Sequence, residues 1–400
     1  MSIIFASLII LAPLYVWRFS IGGLPTNFLM LANFVVIGVG LLMLLRQGFN
    51  VERASKVFTD LGWPLLAAIL LFALASVISL VAFGVNGEKL AQWMVLYAQP
   101  LTLFFLIRYF IPADEAGRER WLETFRTAAY IVVGAAGLLA LIQYFSLQTL
   151  PPAWWGNANE PKRAIAFFAH ANAFGLFVTP LLAWLIPDAV KKLRAKNLLL
   201  PFLFALGVAG MFLSLSRGAW LGFAVAVGVY ALMAANKKMI LGLVAVGILT
   251  TGIVAAVPNL RYRVLLPFYG EKSSVARISL WNTAVKEMKD NPILGKGVNG
   301  FSDNWDKYNT DAGLEHYNFP HNIFLNFWVD LGLLGLVSMI AVLGLSMARA
   351  VKQWRTGRTN TVALGILLFL VAMVAHGLID IPYLKNDLAL IFWIVLALGL

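Results

Sequence analysis

Apolar residues in this chain come in continuous runs of about 20 residues, separated by short polar segments. A helical run of that length crosses about 30 Å of hydrocarbon, since a helix rises about 1.5 Å per residue. The runs do not alternate with period two, which excludes a membrane β-barrel. The pattern predicts an all-α polytopic membrane protein with about twelve transmembrane helices. The predicted spans are 1–17, 28–45, 64–84, 91–111, 127–147, 165–187, 199–215, 218–235, 239–257, 321–348, 360–380 and 386–400.

One polar segment is far longer than the others and separates the ninth span from the tenth. The chain thus divides into 1–257 with nine spans, a loop at 258–320, and 321–400 with three spans. Within the loop, SVARISLWNTAVKEMKDNP predicts an amphipathic helix that is capped by Ser273 or Ser274 and ends before Pro292. Its predicted apolar stripe comprises Ile278, Trp281, Ala284, Val285 and Met288.

The net charge of +12 is concentrated in alternate short loops between the predicted spans. The positive-inside rule assigns the basic loops, and with them both chain termini, to the cytoplasm. The long loop then faces outward, into the periplasm if the membrane is a Gram-negative inner membrane. This distribution argues against a nucleic-acid partner. The first run has neither a basic start nor a small-residue cleavage site, so we expect a retained span rather than a signal peptide.

The composition excludes several kinds of catalytic and metal-binding site. Only 12% of the residues are charged, against about 25% in soluble domains. The chain has no cysteine, which excludes thiolate catalysis, disulfides and cysteine metal sites. No H-x-x-x-H, D-x-D or clustered carboxylate pair occurs on the predicted outer face. We therefore expect neither a metal nor a cofactor.

His321 lies where the long loop meets the next apolar run, in FPHNIFLNF. A neutral imidazole there could accept a proton from a hydroxyl nucleophile, because its ordinary pKa is about 6.5. Such general-base catalysis is typically worth about 10²–10⁴ in rate. The alternative is a histidine that only hydrogen-bonds the loop at the start of a helix. Asn322 beside it is a secondary candidate.

Arg217 stands among apolar residues in FLSLSRGAWLGFAV. A charge at membrane depth costs about 2.5–3.5 kcal/mol on insertion scales, so we expect a compensating interaction. One reading is a short turn that lets the guanidinium reach water. The other is a bidentate clamp on a phosphate, which suits the planar fork of arginine.

Lys162 and Arg163 precede the sixth span on the predicted outer side, where topology gives no reason for basic residues. One reading is that they bind a substrate phosphate at the membrane surface. The other is that they bind the anionic headgroups of ordinary lipids. His170 follows in the same stretch and is a secondary candidate, although a packing role is the alternative.

Further candidates lie in the loop and after the eleventh span. Arg261, Arg263 and Arg277 flank the loop entry and its helix, and two or more could neutralise a diphosphate. The alternative for each is ordinary solvated charge. Asp380, in HGLIDIPY, could orient an imidazole, pair with an arginine, or simply be an interfacial acid.

Three motifs together resemble the lipopolysaccharide O-antigen ligase family. They are SLSRGAWLG, the loop sequence ARISLWNTAVKEMKDNPILGKGVNGF, and PHNIFLNFWVDLGLLG. The resemblance covers most of the chain from Phe167 onward. It is less specific for ligases than for the wider superfamily, which includes O-antigen polymerases and some protein O-oligosaccharyltransferases.

The resemblance implies a metal-independent glycosyltransferase of the GT-C type. Such an enzyme moves O-antigen glycan from undecaprenyl diphosphate to lipid A–core oligosaccharide on the periplasmic face of the inner membrane. The essential histidine of the family matches His321, and its arginine after the seventh span matches Arg217. The arginine of the loop helix matches Arg277 best, with Arg263 as an alternative. Outside this class, a transporter of lipid-linked sugars is an alternative, although the repeats and broken helices it predicts are not found.

Overall fold

The computed structural model describes residues 1–157, 161–234, 237, 241–242, 256, 272–311, 313–357 and 360–399. Within these ranges most residues are helical, and the two strands form one antiparallel hairpin. Of the described helices, six are long and apolar enough to cross a membrane, and several shorter apolar helices accompany them. The prediction of an all-α, multi-pass membrane protein is confirmed at this level.

The part of the chain before the long loop contains ten helices in the described ranges and the hairpin. These are α1 (Ser2–Leu11), a 3-10 turn (Ala12–Val16), β1 (Arg18–Ile21), β2 (Leu24–Asn27), α2 (Phe28–Gln47), α3 (Val51–Leu61), α4 (Trp63–Ala82), α5 (Gly87–Trp93), which continues through a π turn (Met94–Ala98) into α6 (Gln99–Phe110), α7 (Glu115–Ser146), a 3-10 turn (Pro152–Trp154), α8 (Ala171–Arg194), α9 (Leu199–Leu213) and α10 (Arg217–Met233). The strands pair with Arg18 opposite Asn27.

The loop and the last part of the chain contribute six further described helices. These are α11 (Lys272–Asp290), α12 (Gly300–Asp303), α13 (Trp305–Tyr308), α14 (Ile323–Arg355), α15 (Asn360–Gly377) and α16 (Asn386–Gly399). Helices occupy the positions of the predicted spans except the ninth, 239–257, which lies almost wholly outside the described residues.

The start of the sixth span differs from the prediction. That span was expected from residue 165, but α8 begins at Ala171 and residues 161–170 are not helical. The backbone at Ile165 and Ala166 bonds instead to the side chain of Gln143 on α7. Apolar run length cannot reveal this, because Ala166 through Phe168 is as apolar as the helix that follows.

The two ends of the described bundle differ in their charges. Where α8 ends, Asp188 accepts a hydrogen bond from Tyr130 at 3.0 Å and lies 3.4 Å from Arg126. Lys192 pairs with Glu123 at 2.6 Å at the same end. These side chains belong to the basic loops that the topology rule assigns to the cytoplasm. The opposite end, where α8, α10 and α14 begin, is called the site end below.

A buried aromatic cluster fixes the loop between α15 and α16. Tyr383 is fully buried in this loop against Phe72 and near Trp393. Its hydroxyl donates to the carbonyl of Leu96 at 2.9 Å and accepts from Trp393 Nε1 at 2.9 Å. The polar atoms of this interior pair are thus satisfied. Because Asp380 lies three residues earlier, the cluster also fixes the backbone close to that candidate.

Helix α11 packs on α14, but through a different face from the predicted stripe. Its buried residues are Ala276, Leu280, Thr283, Ala284, Glu287 and Met288. Ile278 is 58% exposed and Val285 is 41% exposed, so the stripe was wrong at those two positions. Hydrophobic periodicity missed the true face because two of its members are polar. The predicted stop is confirmed, because α11 ends at Asp290, and the helix begins at Lys272.

A glycine lets the segment after α11 dock on α14. Gly332 interrupts α14 with φ of 69°, a conformation in which other residues are strained. A Cβ atom there would overlap the carbonyl oxygen of Ile293, which accepts a hydrogen bond from Leu333 at 3.0 Å. Lys296 donates its amide to Val329 at 2.6 Å on the other side of the break. The loop is therefore fastened to the first turns of α14.

Replacing Glu287 with glutamine should stabilise the protein at neutral pH. Glu287 is fully buried, neither carboxylate oxygen has a hydrogen-bond partner among the described residues, and burial followed by the charge of Asp330 raises its pKa to about 8. The folded state then holds a proton that the unfolded state releases above pH ~4.3, so stability falls as pH rises from ~4.3 to about 8. At pH 7 the variant should gain about 1–3 kcal/mol. Melting curves between pH 5 and 8 test this, and identical pH slopes for both proteins would contradict it.

Candidate active site

His321 lies in a tight turn at the start of α14. Its backbone is left-handed, with φ of 49°, which costs about 1–3 kcal/mol for a non-glycine residue. Asn322 caps α14 by accepting from the amides of Phe324 and Leu325, and its amide nitrogen donates to the carbonyl of Leu378 at 2.9 Å. Both ends of the Asn322 side chain are therefore occupied. Its position indicates that it holds the turn rather than a substrate.

Asp380 orients the imidazole of His321. Nδ1 of His321 and Oδ1 of Asp380 are 2.9 Å apart, and the carboxylate is almost fully buried. Burial would raise the pKa of Asp380, but the hydrogen bond to His321 and the charges of His321, His376 and Arg277 lower it to about 2. The carboxylate is therefore ionised at neutral pH and can only accept a hydrogen bond. Nδ1 must then carry the proton of this bond.

The second ring nitrogen of His321 is left available for chemistry. With the proton on Nδ1, a neutral ring has its lone pair on Nε2. Among the described residues, none forms a hydrogen bond with that atom, and a quarter of the side chain is exposed. A neutral imidazole held by a buried carboxylate is suited to take a proton from a hydroxyl group.

Arg277 approaches His321 from the loop helix. Its Nε donates to the carbonyl of Ile379, the residue before Asp380, at 2.8 Å. One turn later on α11, Trp281 Nε1 lies 3.5 Å from the carbonyl oxygen of His321. Helix α11 thus contacts both the turn that carries His321 and the segment that carries Asp380. The Arg277 guanidinium lies beside the second of these.

Arg217 is the first residue of α10, and the start of this helix packs beside the end of α15. The next residue, Gly218, packs so closely on α15 that a Cβ atom would lie 2.6 Å from His376 Nε2 and 3.4 Å from Ile379 Cδ1. Only glycine permits this approach. The Arg217 side chain is exposed. Its charge sits at a helix N-terminus, where the helix dipole disfavours a cation and favours a bound anion.

Arg163 is fixed beside the turn that leads to Arg217. Its Nε donates to the carbonyl of Ser214 at 2.9 Å, and one terminal nitrogen donates to Asn172 Oδ1 at 2.7 Å. The guanidinium also lies over the ring of Trp154, 5.7 Å from its centroid. These contacts orient the planar fork near the start of α10.

The structure brings five of the predicted residues to one region of the site end. Arg163 bonds to Ser214 in the turn before α10, Gly218 of α10 packs against His376 of α15, Arg277 bonds to Ile379, and His321 bonds to Asp380. We call this set the Arg–His cluster, and it comprises Arg163, Arg217, Arg277, His321 and Asp380. Helices α8, α10 and α14 begin at this end, and their dipoles add positive potential. The region is thus suited to an anion with two or more charges.

Other predicted residues lie at the edge of the cluster or outside the described residues. Lys162 stands over the Tyr144 ring at 4.5 Å, and His170 meets Trp154 edge-on at 5.8 Å. Burial and the charge of Lys385 lower the pKa of His170. No described contact joins either residue to His321, so His170 lies on the Arg163 side as a packing neighbour. Arg261 and Arg263 fall in the part of the chain that the structure does not describe.

A metal or cofactor was not expected. In the ranges that the structure describes, no three His, Asp or Glu side chains gather in a way that could hold a metal ion. No residues are therefore identified for such a group, and its absence stays a prediction.

Gln143 is a positioning residue that the sequence analysis missed. It is 1% exposed on α7, and its Oε1 accepts from the amides of Ile165 and Ala166 at 3.1 and 2.8 Å. Its amide nitrogen donates to the carbonyl of Ala166 at 2.9 Å. Three hydrogen bonds thus fix the irregular segment that carries Arg163. An isolated amide inside an apolar run is the signal that could have revealed it, because such groups are costly in a membrane.

Replacing Gln143 with leucine should destabilise this segment. The change leaves buried backbone groups without partners, which costs about 1–3 kcal/mol for each. We expect a lower melting temperature and faster hydrogen exchange at residues 163–168. Gln148→Leu is the matched control, since Gln148 lies on the exposed turn that follows α7. Equal exchange in the two variants would show that Gln143 does not hold the segment.

Comparison with known proteins finds one family match. Residues 202–340 match the family model described as O-antigen ligase. The match covers about a third of the chain and supports the O-antigen ligase family. The matched residues 202–340 include Arg217, Arg277 and His321, whereas Arg163 and Asp380 lie outside this range. Members of the family are glycosyltransferase-like ligases and polymerases.

One relative is similar to this chain over a longer stretch than the family model covers. An uncharacterised protein of Haemophilus influenzae is 26% identical over 279 residues, which cover 63% of this chain. The chain spans 66% of the length of that relative. The similarity is compatible with a shared architecture, and the relative's name gives no activity to transfer.

Proposed function

We propose that the protein is an O-antigen ligase that transfers glycan from undecaprenyl diphosphate to the lipid A–core oligosaccharide. The observation that carries the proposal is the His321–Asp380 pair at 2.9 Å, with Arg277 bonded to the residue before Asp380 and Arg163 bonded to the turn before α10. The O-antigen ligase match over residues 202–340 supplies the substrate class. The site faces the periplasm of a Gram-negative inner membrane, and both termini face the cytoplasm.

The guanidinium groups neutralise the diphosphate of the donor. A diphosphate leaves readily once its developing charge is stabilised, and planar forks bind phosphate oxygens bidentately. Arg163 and Arg277 each use Nε on a backbone carbonyl, at 2.9 and 2.8 Å, which aims the rest of the fork. Arg217 adds a charge at the start of α10. Removal of one such contact typically costs about 10²–10³ in rate.

His321 activates the acceptor in a single inverting displacement. A core sugar hydroxyl gives its proton to Nε2 while its oxygen attacks the anomeric carbon of the donor glycan. The bond from that carbon to the diphosphate breaks, and undecaprenyl diphosphate leaves with the electron pair. Ionised Asp380 stabilises the imidazolium that forms. No step requires a metal.

The polyprenyl chain of the donor lies along α10. A cavity of about 530 Å³ is lined by apolar side chains of α8, α9 and α10, among them Ala189, Phe204, Phe223 and Val227. Phe223 follows Arg217 by six residues, or about 9 Å of helix. A diphosphate at Arg217 would therefore place its lipid tail within reach of Phe223 at the near edge of this groove, which extends to the end of the bundle where α8 ends.

A reconstituted reaction tests the proposal. Purified protein is mixed with carrier-linked glycan and lipid A–core, with and without a chelator, and products are separated by gel and mass spectrometry. We expect glycan-modified lipid A–core in both conditions. Longer glycan on the carrier would instead identify a polymerase, and transfer to a peptide serine would identify a protein O-oligosaccharyltransferase. Movement of carrier lipid across liposomes without any transfer would identify a transporter.

A further inference from the structure

An aromatic surface adjoins the ring of His321. The Tyr317 ring meets the His321 ring edge-on, with centroids 5.8 Å apart and planes at 79°. Tyr317 lies 6.1 Å from Trp305, on which the ring of His316 stacks at 5.6 Å. Trp305 is buried, whereas Tyr317 is half-buried and His316 is exposed. The row of rings thus leads from His321 to the surface.

Small polar groups line the same surface. Ser302 Oγ lies 2.9 Å from His316 Nε2 and donates to Asn318 Oδ1 at 3.2 Å. Asn318 is exposed beside Tyr317 in sequence. Among the described residues, salt bridges are found elsewhere in the loop but not at these four side chains. The surface therefore combines aromatic rings with hydroxyl and amide groups, unlike the cationic side chains of the Arg–His cluster.

We infer that Tyr317, His316, Ser302 and Asn318 form a binding subsite for a sugar of the acceptor. A pyranose presents an apolar face of C–H groups that packs on aromatic rings, and a rim of hydroxyls that pairs with amides and hydroxyls. The His321 ring contacts Tyr317 of this surface, and its Nδ1 bonds to Asp380, next to the residue that Arg277 contacts. The inference rests on the proposed function, because that function places the donor diphosphate at the arginines. The acceptor then occupies the opposite side, with its reacting hydroxyl at Nε2.

The test compares Tyr317→Ala with Tyr317→Phe. The alanine variant loses the ring and should raise KM for lipid A–core about tenfold, which corresponds to ~1.4 kcal/mol. KM for the carrier-linked donor should stay unchanged. The phenylalanine variant keeps the ring and should resemble the wild type. An equal or larger rise in the donor KM would overturn the inference in favour of a donor-sugar subsite, and two unchanged values would remove the subsite altogether.

A binding measurement separates the subsite from the chemistry. Deacylated lipid A–core oligosaccharide is added to the wild type in detergent, and saturation transfer to its sugar protons is measured by NMR. The signal should fall in Tyr317→Ala and also in Asn318→Ala, which covers the case that the first variant does not fold. Binding that persists without any glycan transfer would contradict the proposed function and leave the subsite standing. If the wild type transfers glycan but the NMR signal does not depend on Tyr317 or Asn318, the subsite is excluded and the proposed function stands.

Discussion

Replacing His321 with alanine should lower the rate of glycan transfer about 10²–10⁴-fold, because the acceptor hydroxyl loses its base. Donor binding should remain, since the arginines and the α10 groove do not depend on the imidazole. The measurement is the initial rate of transfer with purified protein in liposomes at saturating substrates. Protein abundance and melting temperature serve as controls. A variant that retains wild-type rates would exclude the imidazole from the reaction.

The partner of His321 provides a sharper form of this prediction. Asp380→Asn removes the anion 2.9 Å from Nδ1 and should cost about 10–100-fold in rate. In the His321→Ala background the same change should cost almost nothing further, because Asp380 acts through the imidazole. The double-variant cycle measures that coupling. Equal losses in both backgrounds would mean that Asp380 has an independent role.

The pH dependence of the rate follows from the same pair. The pKa of Asp380 is about 2, so its carboxylate stays ionised throughout the range in which such a protein is assayed. As pH falls through that range, Asp380 should therefore add no step of its own to the rate profile. A step that is present in the wild type and lost in Asp380→Asn would contradict this.

The membrane architecture could be predicted from sequence because one free-energy cost dominates it, that of leaving backbone groups without hydrogen bonds in hydrocarbon. Backbone groups in hydrocarbon must bond within a helix, so apolar run length alone locates the spans. This reasoning failed at α8, where the side chain of Gln143 satisfies the backbone of Ile165 and Ala166 in place of a helical turn. Run length cannot distinguish these two ways of satisfying the same groups.

The members of the candidate site were predictable, but their arrangement was not. Arg163 stood out because topology gave no reason for a basic residue there, and Arg217 because a charge at membrane depth is costly. His321 stood out because it lies where the long loop meets the next apolar run. The atoms that orient two of the arginines are backbone carbonyls, those of Ser214 and Ile379. Every residue has such a carbonyl, so no sequence pattern marks these partners. The Asp380 contact was one of three readings, and only the structure selects it.

Polar residues on buried faces escaped the sequence reasoning for a related reason. The stripe predicted for α11 was chosen by hydrophobicity, and it included Ile278, which is 58% exposed. The true face contains Glu287, a fully buried carboxylate. A buried ionisable group contradicts the energetic rule on which the prediction depends. Such exceptions become visible only when the packing partner, here α14, is known.

Replacing Arg217 with lysine should lower the rate of transfer about 10–100-fold, although the charge is kept. Lysine is a point charge, whereas the guanidinium holds two phosphate oxygens in one plane. Arg217→Gln removes the charge as well and should lose about 10²–10³-fold. The losses should appear in the rate and in the affinity for the donor, with KM for lipid A–core unchanged.

Arg355→Lys is the matched control for Arg217→Lys. Arg355 ends α14 at the opposite end of the bundle and is exposed, so the same chemical change should leave the rate unaltered.

The α10 dipole argues in the same direction as the phosphate clamp. A cation at a helix N-terminus is unfavourable by about 0.3–1 kcal/mol, and an anion bound there reverses the sign of that term. Donor lipid should therefore raise the melting temperature of the wild type more than that of Arg217→Gln. Equal shifts in the two proteins, or full activity in Arg217→Lys, would place the diphosphate elsewhere.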